Sequence, residues 1–351
     1  MTTASASAAL PFDSQVLEAY LAAHLPGYGG PLSISRFKGG QSNPTYLLTT
    51  PGRQYVMRSK PGPVAQLLPT AHAVEREFRV QSALAGSAVP VAAMHCLCED
   101  EAVIGRAFYV MDFIEGRIFW EQSLPGLDQA GRGAIYDELN RVIAELHKVD
   151  FTALGLGDYG KPGNYFNRQI DRWTRQYRAS EIDAIEPMDQ LIDWLPRHIP
   201  HEADPQVSLV HGDYRIDNVI FHPTEPRILA VIDWELSTLG HPLADFAYHL
   251  MSWHMTPSGS MRGLQGLDLD ALGIPREPDY IAAYERRIGH PLAGDWNFYL
   301  AYNLFRLAAI LQGIAKRVQE GTASSAQAAE NGRMARPLAE LGWAFARRAS
   351  E

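Results

Sequence analysis

Ser208 to Leu250, SLVHGDYRIDNVIFHPTEPRILAVIDWELSTLGHPLADFAYHL, constrains what this chain can fold into more than any other stretch. It holds two apolar, β-prone runs, Val219-Ile220-Phe221 and Ile228-Leu229-Ala230-Val231-Ile232, separated by His222-Pro223-Thr224-Glu225-Pro226. Prolines in such a break stop a strand and favour a turn, so the two runs predict a hairpin. A hairpin carries residues far apart in sequence to its open end. Polar clusters flank that end: His211-Gly212-Asp213 and Asn218 before the first run, Asp233-Trp234-Glu235 after the second. Convergence of Asp213, Asn218 and Asp233 would assemble two carboxylates and an amide oxygen. These are hard donors, suited to Mg²⁺ and not to zinc.

Charge and cysteine usage narrow the setting. A net charge of −9 argues against nucleic acid or an anionic membrane as a partner. Apolar residues are 46% of the 351, enough for one large domain or two packed lobes. Cys96 and Cys98, the only two cysteines, make neither a zinc site nor a disulfide framework, which favours a reducing, cytoplasmic compartment. The opening MTTASASAAL lacks the basic residues and apolar run of a signal peptide and reads as a disordered leader. Trp296 to Val318 is the most apolar long segment. Asn303, Arg306, Gln312 and Lys316 within it predict a buried core helix and not a membrane span. Nothing in the sequence fixes an oligomeric state.

Upstream, Asp13 to Ala23 predicts a short helix capped by Asp13 or Ser14. Leu32 to Thr50 reads as strand, glycine turn, strand, with Gly39, Gly40, Gln41, Ser42 and Asn43 at the turn. Glycines there let backbone N–H groups approach phosphates, although two adjacent glycines are by themselves an ordinary hairpin turn. Gln54 to Lys60 predicts the next strand, with Val56, Arg58 and Lys60 on one face. Ala71 to Ala85 predicts a helix with Val74, Phe78, Gln81 and Ala85 in line and Glu75 and Glu77 projecting elsewhere. Val91 to Leu97 and Ala107 to Phe113 read as two more strands. Beyond Gly116 long helical patterns take over: Ala130 to Val149, Tyr165 to Ser180 and Met188 to Leu195. The predicted lobes are therefore residues 1–113 and 114–351.

The string HGDYRIDN…IDWELSTLGHPLADFAY resembles the phosphotransferase core of the aminoglycoside phosphotransferase (APH) family, distant relatives of protein kinases. It also resembles the kinase-like half of acyl-CoA dehydrogenase fusion proteins. The resemblance implies an α+β, two-lobed protein-kinase-like fold with a small β-rich N-terminal lobe and a larger, mainly helical C-terminal lobe. It implies Mg²⁺- and ATP-dependent transfer of a phosphoryl group to a hydroxyl of a small molecule. Asp213 would then orient the acceptor hydroxyl and accept its proton, and Asn218 and Asp233 would hold Mg²⁺. The loop Gly39 to Asn43 would cover the nucleotide. Arg58, at a position where many relatives carry lysine, would grip the phosphates, with Lys60 as the alternative. A helix glutamate would hold that basic residue, and the Arg-Glu dipeptide favours Glu77. Met111 and Phe113, in the segment resembling the family's inter-lobe link, would neighbour adenine. Asp245 would brace the catalytic loop, and His211 would shape it.

Two features bear on the acceptor. From Leu243 onward acidic and basic residues are equal in number, without the carboxylate surplus expected for polycationic aminoglycosides. Arg168, Arg172 and Arg175 share a helix face that is either solvated or turned to an anionic substrate tail. A hydroxyacyl-CoA or similar metabolite is therefore the favoured acceptor. The rival class is a nucleotide-binding pseudokinase without transfer activity. A serine hydrolase is disfavoured because no G-x-S-x-G elbow occurs.

Overall fold

The computed structural model describes residues 10–37, 43–62, 73–161, 163–200, 206–257, 262–292, 294–322 and 328–349. The predicted glycine turn, Gly39, Gly40, Gln41 and Ser42, lies outside them. The chain divides into two compact units. The first runs to Ile118 and includes Leu154–Leu156 and Asn218–Ser237; the second comprises Phe119–Ala153, Gly157–Asp217 and Thr238–Glu351. The expected division near residue 114 puts the hairpin in the later part, whereas these compact units group the hairpin with the first. Main-chain bonds tie the hairpin to the first unit: Arg117 and Phe221 exchange N–H···O bonds of 2.8 Å, and Val231 N–H donates to Pro90 O at 2.8 Å.

An antiparallel five-stranded sheet forms the first unit: β1 Ser33–Arg36, β2 Thr45–Thr49, β3 Gln54–Ser59, β4 Met94–Cys98 and β5 Phe108–Asp112, in the order β1-β2-β3-β5-β4. Alternation sorts the side chains. Tyr46, Leu48, Tyr55, Met57, Phe108 and Val110 face Leu17 and Leu21 of the helix Ser14–His24, whose N-terminus Asp13 caps by accepting from Gln15 N–H at 2.8 Å. On the other face, Tyr109 packs with Val74 of the helix Val74–Leu84, and Phe78, Met94, Leu97 and Met111 pack around them. Register sets Arg58 opposite Tyr109, so the arginine shares the face that this helix covers.

The second unit is mainly helical. Its longest helix, Trp296–Gln319, buries fourteen residues from Phe298 to Gln312. It packs against Tyr165–Ser180, Pro242–Leu250 and Ala335–Arg348. It is the one described helix long and apolar enough to cross a membrane, and 78% of its most apolar window is buried, as Asn303 and Arg306 within it predict. A two-stranded ladder, Ser208–Val210 with Thr238–Gly240, brings the segment before His211 beside the segment that leads into Pro242–Leu250.

Candidate active site

In the first unit the site is built around Arg58. Its Nε lies 3.1 Å from Glu77 Oε2, and its Nη2 lies 2.6 Å from Asp233 Oδ1 and 3.3 Å from Glu235 Oε2. Burial works against the guanidinium charge, but Glu77, Asp233 and Glu235 more than offset it and raise the Arg58 pKa above its usual range. Glu77 is 1% exposed. It lies on the buried face of its helix with Val74, Val80, Gln81 and Leu84, not off the apolar line as its spacing suggested. Its partners explain the difference: Asn43 Nδ2 donates to Oε1 at 2.8 Å and the Tyr109 hydroxyl to Oε2 at 3.0 Å. Burial pushes the Glu77 carboxyl upward, and the Arg58 charge counters it. Lys60 pairs instead with Glu75, and the half-exposed geometry of that pair leaves Arg58 as the basic group at Asp233.

The hairpin supplies Asp233 and Asn218. Val219 pairs with Val231, and Ile232 N–H donates to Asn218 O at 2.9 Å, so Asn218 and Asp233 both sit at the open end. Asp233 adopts a left-handed backbone, φ 67° and ψ 56°, which an aspartate tolerates better than most residues and which recurs at functional positions. The following turn is pinned by Trp234, whose Nε1 donates to Val231 O at 2.9 Å. An amide oxygen and a carboxylate on one rigid hairpin end are hard donors, and Glu235 adds a second carboxylate nearby. This donor chemistry fits Mg²⁺. No group of three or more His, Cys, Asp or Glu suited to a metal occurs among the described residues. Met111 packs in the cluster around Tyr109, and Phe113 is half-buried, its N–H 3.4 Å from Gln54 O.

In the second unit the loop His211-Gly212-Asp213 is held by a buried carboxylate. Asp245 accepts from His211 N–H at 2.7 Å and Gly212 N–H at 2.8 Å, and His147 Nε2 lies 3.3 Å from the same carboxylate. Gly212 has φ +82°, a conformation that favours glycine and lets consecutive N–H groups turn toward one acceptor. Burial opposes ionisation of Asp245, but these bonds outweigh it and hold the pKa below the usual carboxylate range. His211 accepts the Asp213 N–H on Nδ1 at 3.2 Å. The Asp213 carboxylate accepts from the Tyr248 hydroxyl at 2.6 Å, and Arg215 Nε lies 3.6 Å from the same oxygen. Burial, and then the Asp213 charge, raise the Tyr248 phenol above its ordinary range, so it remains a donor. Arg306 Nη2 donates to Gly212 O at 2.6 Å. Tyr248 and Arg306 escaped the sequence reading. The signal for the second was present, an arginine inside the most apolar helix of the chain.

The chain as a whole matches a known family. The profile of the phosphotransferase enzyme family, APH, matches residues 33–289. Acyl-CoA dehydrogenase family member 10 of Mus musculus is 46% identical over 340 residues, covering 96% of this chain and 31% of that protein. The chain thus spans about a third of that relative's length. A crystal structure from Ralstonia eutropha JMP134, of a protein described as a candidate aminoglycoside phosphotransferase, is 62% identical with a TM-score of 0.88, covering 96% of this chain and 99% of that one. The ternary complex of the aminoglycoside phosphotransferase APH(4)-Ia with ADP and hygromycin B has a TM-score of 0.61 at 14% identity, covering 95% and 99% of the two chains. That last likeness is one of fold. The chain belongs to the phosphotransferase enzyme family, APH, and has its α+β, protein-kinase-like fold.

Proposed function

We propose that the protein transfers the γ-phosphoryl group of ATP to a hydroxyl of a small molecule. One observation carries the reading: a strand arginine is held by a buried helix glutamate and reaches Asp233, which shares the open end of one hairpin with Asn218. Phosphoryl transfer asks a protein mainly for positioning and for neutralisation of phosphate charge. Arg58, a forked donor, grips the non-transferred phosphates, and Glu77 fixes its direction. Asn43, with its side chain buried against Glu77, braces that glutamate, and the glycine-rich stretch Gly39, Gly40, Gln41, Ser42 covers the nucleotide. Met111 and Phe113 neighbour the adenine. Asn218 and Asp233 would hold Mg²⁺, which would supply positive charge to neutralise the phosphate oxygens. Asp213 takes the proton of the acceptor hydroxyl as that oxygen bonds to the γ-phosphorus, and the electron pair of the broken P–O bond leaves with ADP. Tyr248 orients Asp213 for this, and Asp245 holds the loop from beneath.

The roles separate experimentally. Asp213→Asn retains ATP binding, read as a rise in melting temperature with Mg-ATP, and loses transfer. Asp233→Ala weakens both. Full turnover by Asp213→Asn would sink the assignment of the base. ATP binding without turnover on any acceptor would favour a pseudokinase.

A further inference from the structure

Two arginines of the second unit, Arg172 and Arg306, flank the Trp173 ring, and neither forms an ion pair among the described residues. Arg306 is 6% exposed; its one hydrogen bond among the described residues goes to Gly212 O, and its Nε is buried without a partner. Its guanidinium lies 5.0 Å from the Tyr248 ring centroid and 5.5 Å from that of Trp173. Arg172, exposed on the helix Tyr165–Ser180, lies 5.2 Å from the same Trp173 ring and makes no hydrogen bond or ion pair among the described residues. Its neighbours on the helix face behave differently. Arg168 is spent on the carbonyls of Lys161 and Gly163, and Arg175 on that of Asp171. Partial desolvation, and then the Arg306 charge, lower the Arg172 pKa, while Tyr165 and Tyr302 stand beside both arginines and favour their charges.

Burial opposes the Arg306 charge, and Tyr302, Tyr248, Tyr165 and Asp213 offset it, while the two cations sharing one indole repel each other. An incoming anion relieves that repulsion and gains charge-assisted, forked hydrogen bonds. The Tyr248 ring contacts Arg306 while its hydroxyl holds Asp213, so this cationic corner and the proton acceptor share one side chain. We propose that Arg172 and Arg306 form an anion subsite for the phosphoryl acceptor, whose carboxylate or phosphate pairs with them while its hydroxyl reaches Asp213. The proposal rests on the phosphotransfer reading and gives the acceptor a charge opposite to that of an aminoglycoside.

The test is calorimetric binding followed by transfer, with ω-hydroxycarboxylates, ω-hydroxyalkyl phosphates and α,ω-diols of matched length as probes. Wild-type protein is expected to bind one anionic series at least about tenfold more tightly than the diols, the value of one charge-assisted hydrogen bond. The tighter series identifies the anion. Arg172→Gln removes the preference and raises the acceptor KM while leaving the KM for ATP unchanged; Arg306→Lys, which lacks the fork, reduces it; and Arg175→Gln retains it. Equal binding of anions and diols by the wild type, or an undiminished preference in Arg172→Gln, overturns the subsite. An intact preference with no phosphate transferred to any bound probe contradicts the phosphotransfer reading, and the acceptor role with it, while leaving an anion site in place.

Discussion

A buried acid with three partners is stable only while its cation is present, which makes Glu77 and Arg58 one unit. Arg58→Met leaves the Glu77 carboxylate buried without a counter-charge and is expected to cost about 3 kcal/mol or more. Adding Glu77→Gln should recover much of that loss, so chemical denaturation of the two single variants and the double variant should show strong non-additivity. Additive losses would mean that the pair is not coupled. At Asp213, Tyr248→Phe removes one hydrogen bond to a charged group, and kcat should fall about tenfold with the KM for ATP unchanged. The residues legible in the sequence were those whose chemical type and spacing carry their meaning locally. Asp213, Asn218 and Asp233 flank one hairpin, and Glu77 follows an arginine on a helix. Tyr248 carried no signal, and Arg306 was read only as a mark of a buried helix, because both reach the loop through space and not through local spacing.

Long apolar helices were the easiest elements to read. Tyr165–Ser180 and Trp296–Gln319 follow from their apolar residues, and the second is capped by Asp295, which accepts from Asn297 N–H at 2.9 Å. The helix Glu277–Ile288 left little trace, since its buried stripe is only Tyr280 and Tyr284. The ladder Ser208–Val210 with Thr238–Gly240 is three residues long on each side, too short to show alternation. Attachment of the hairpin depends on a close approach that no periodicity reveals. A Cβ on Gly116 would lie 2.3 Å from Phe221 O and 2.5 Å from Ile220 Cγ2. Gly116→Ala must therefore displace the hairpin strand that begins just after Asn218, at a cost of about 1–3 kcal/mol. Urea denaturation and the KM for ATP should both report the change. A variant with unaltered stability and KM would show that the strand yields freely.

For the whole molecule, buried titratable groups set the response to acid. Burial lowers the His249 pKa to about 4 from its ordinary 6.5. The unfolded chain therefore takes up a proton between these values while the folded protein does not. Stability is full above pH 6.5 and falls toward pH 4 by about 1.4 kcal/mol per pH unit. Asp245, held below the usual carboxylate range, adds a further loss only below about pH 3.8, as its carboxylate is protonated. In His249→Gln the slope between pH 6.5 and 4 should flatten, and an unchanged slope would assign it to other groups. The partition of the chain was the least legible feature at this scale. Composition changes near residue 116, but main-chain bonding groups Asn218–Ser237 with the first unit, and the division falls within the catalytic loop sequence itself. The central claim is phosphoryl transfer with Asp213 as proton acceptor. It is tested most directly by following γ-labelled phosphate from Mg-ATP into hydroxy acids, diols, amino alcohols, sugars, hydroxyacyl-CoAs and aminoglycosides, with Asp213→Asn in parallel. A labelled product formed by the wild type and absent from the variant is the predicted result, whereas equal product from both, or none from either, would contradict the claim.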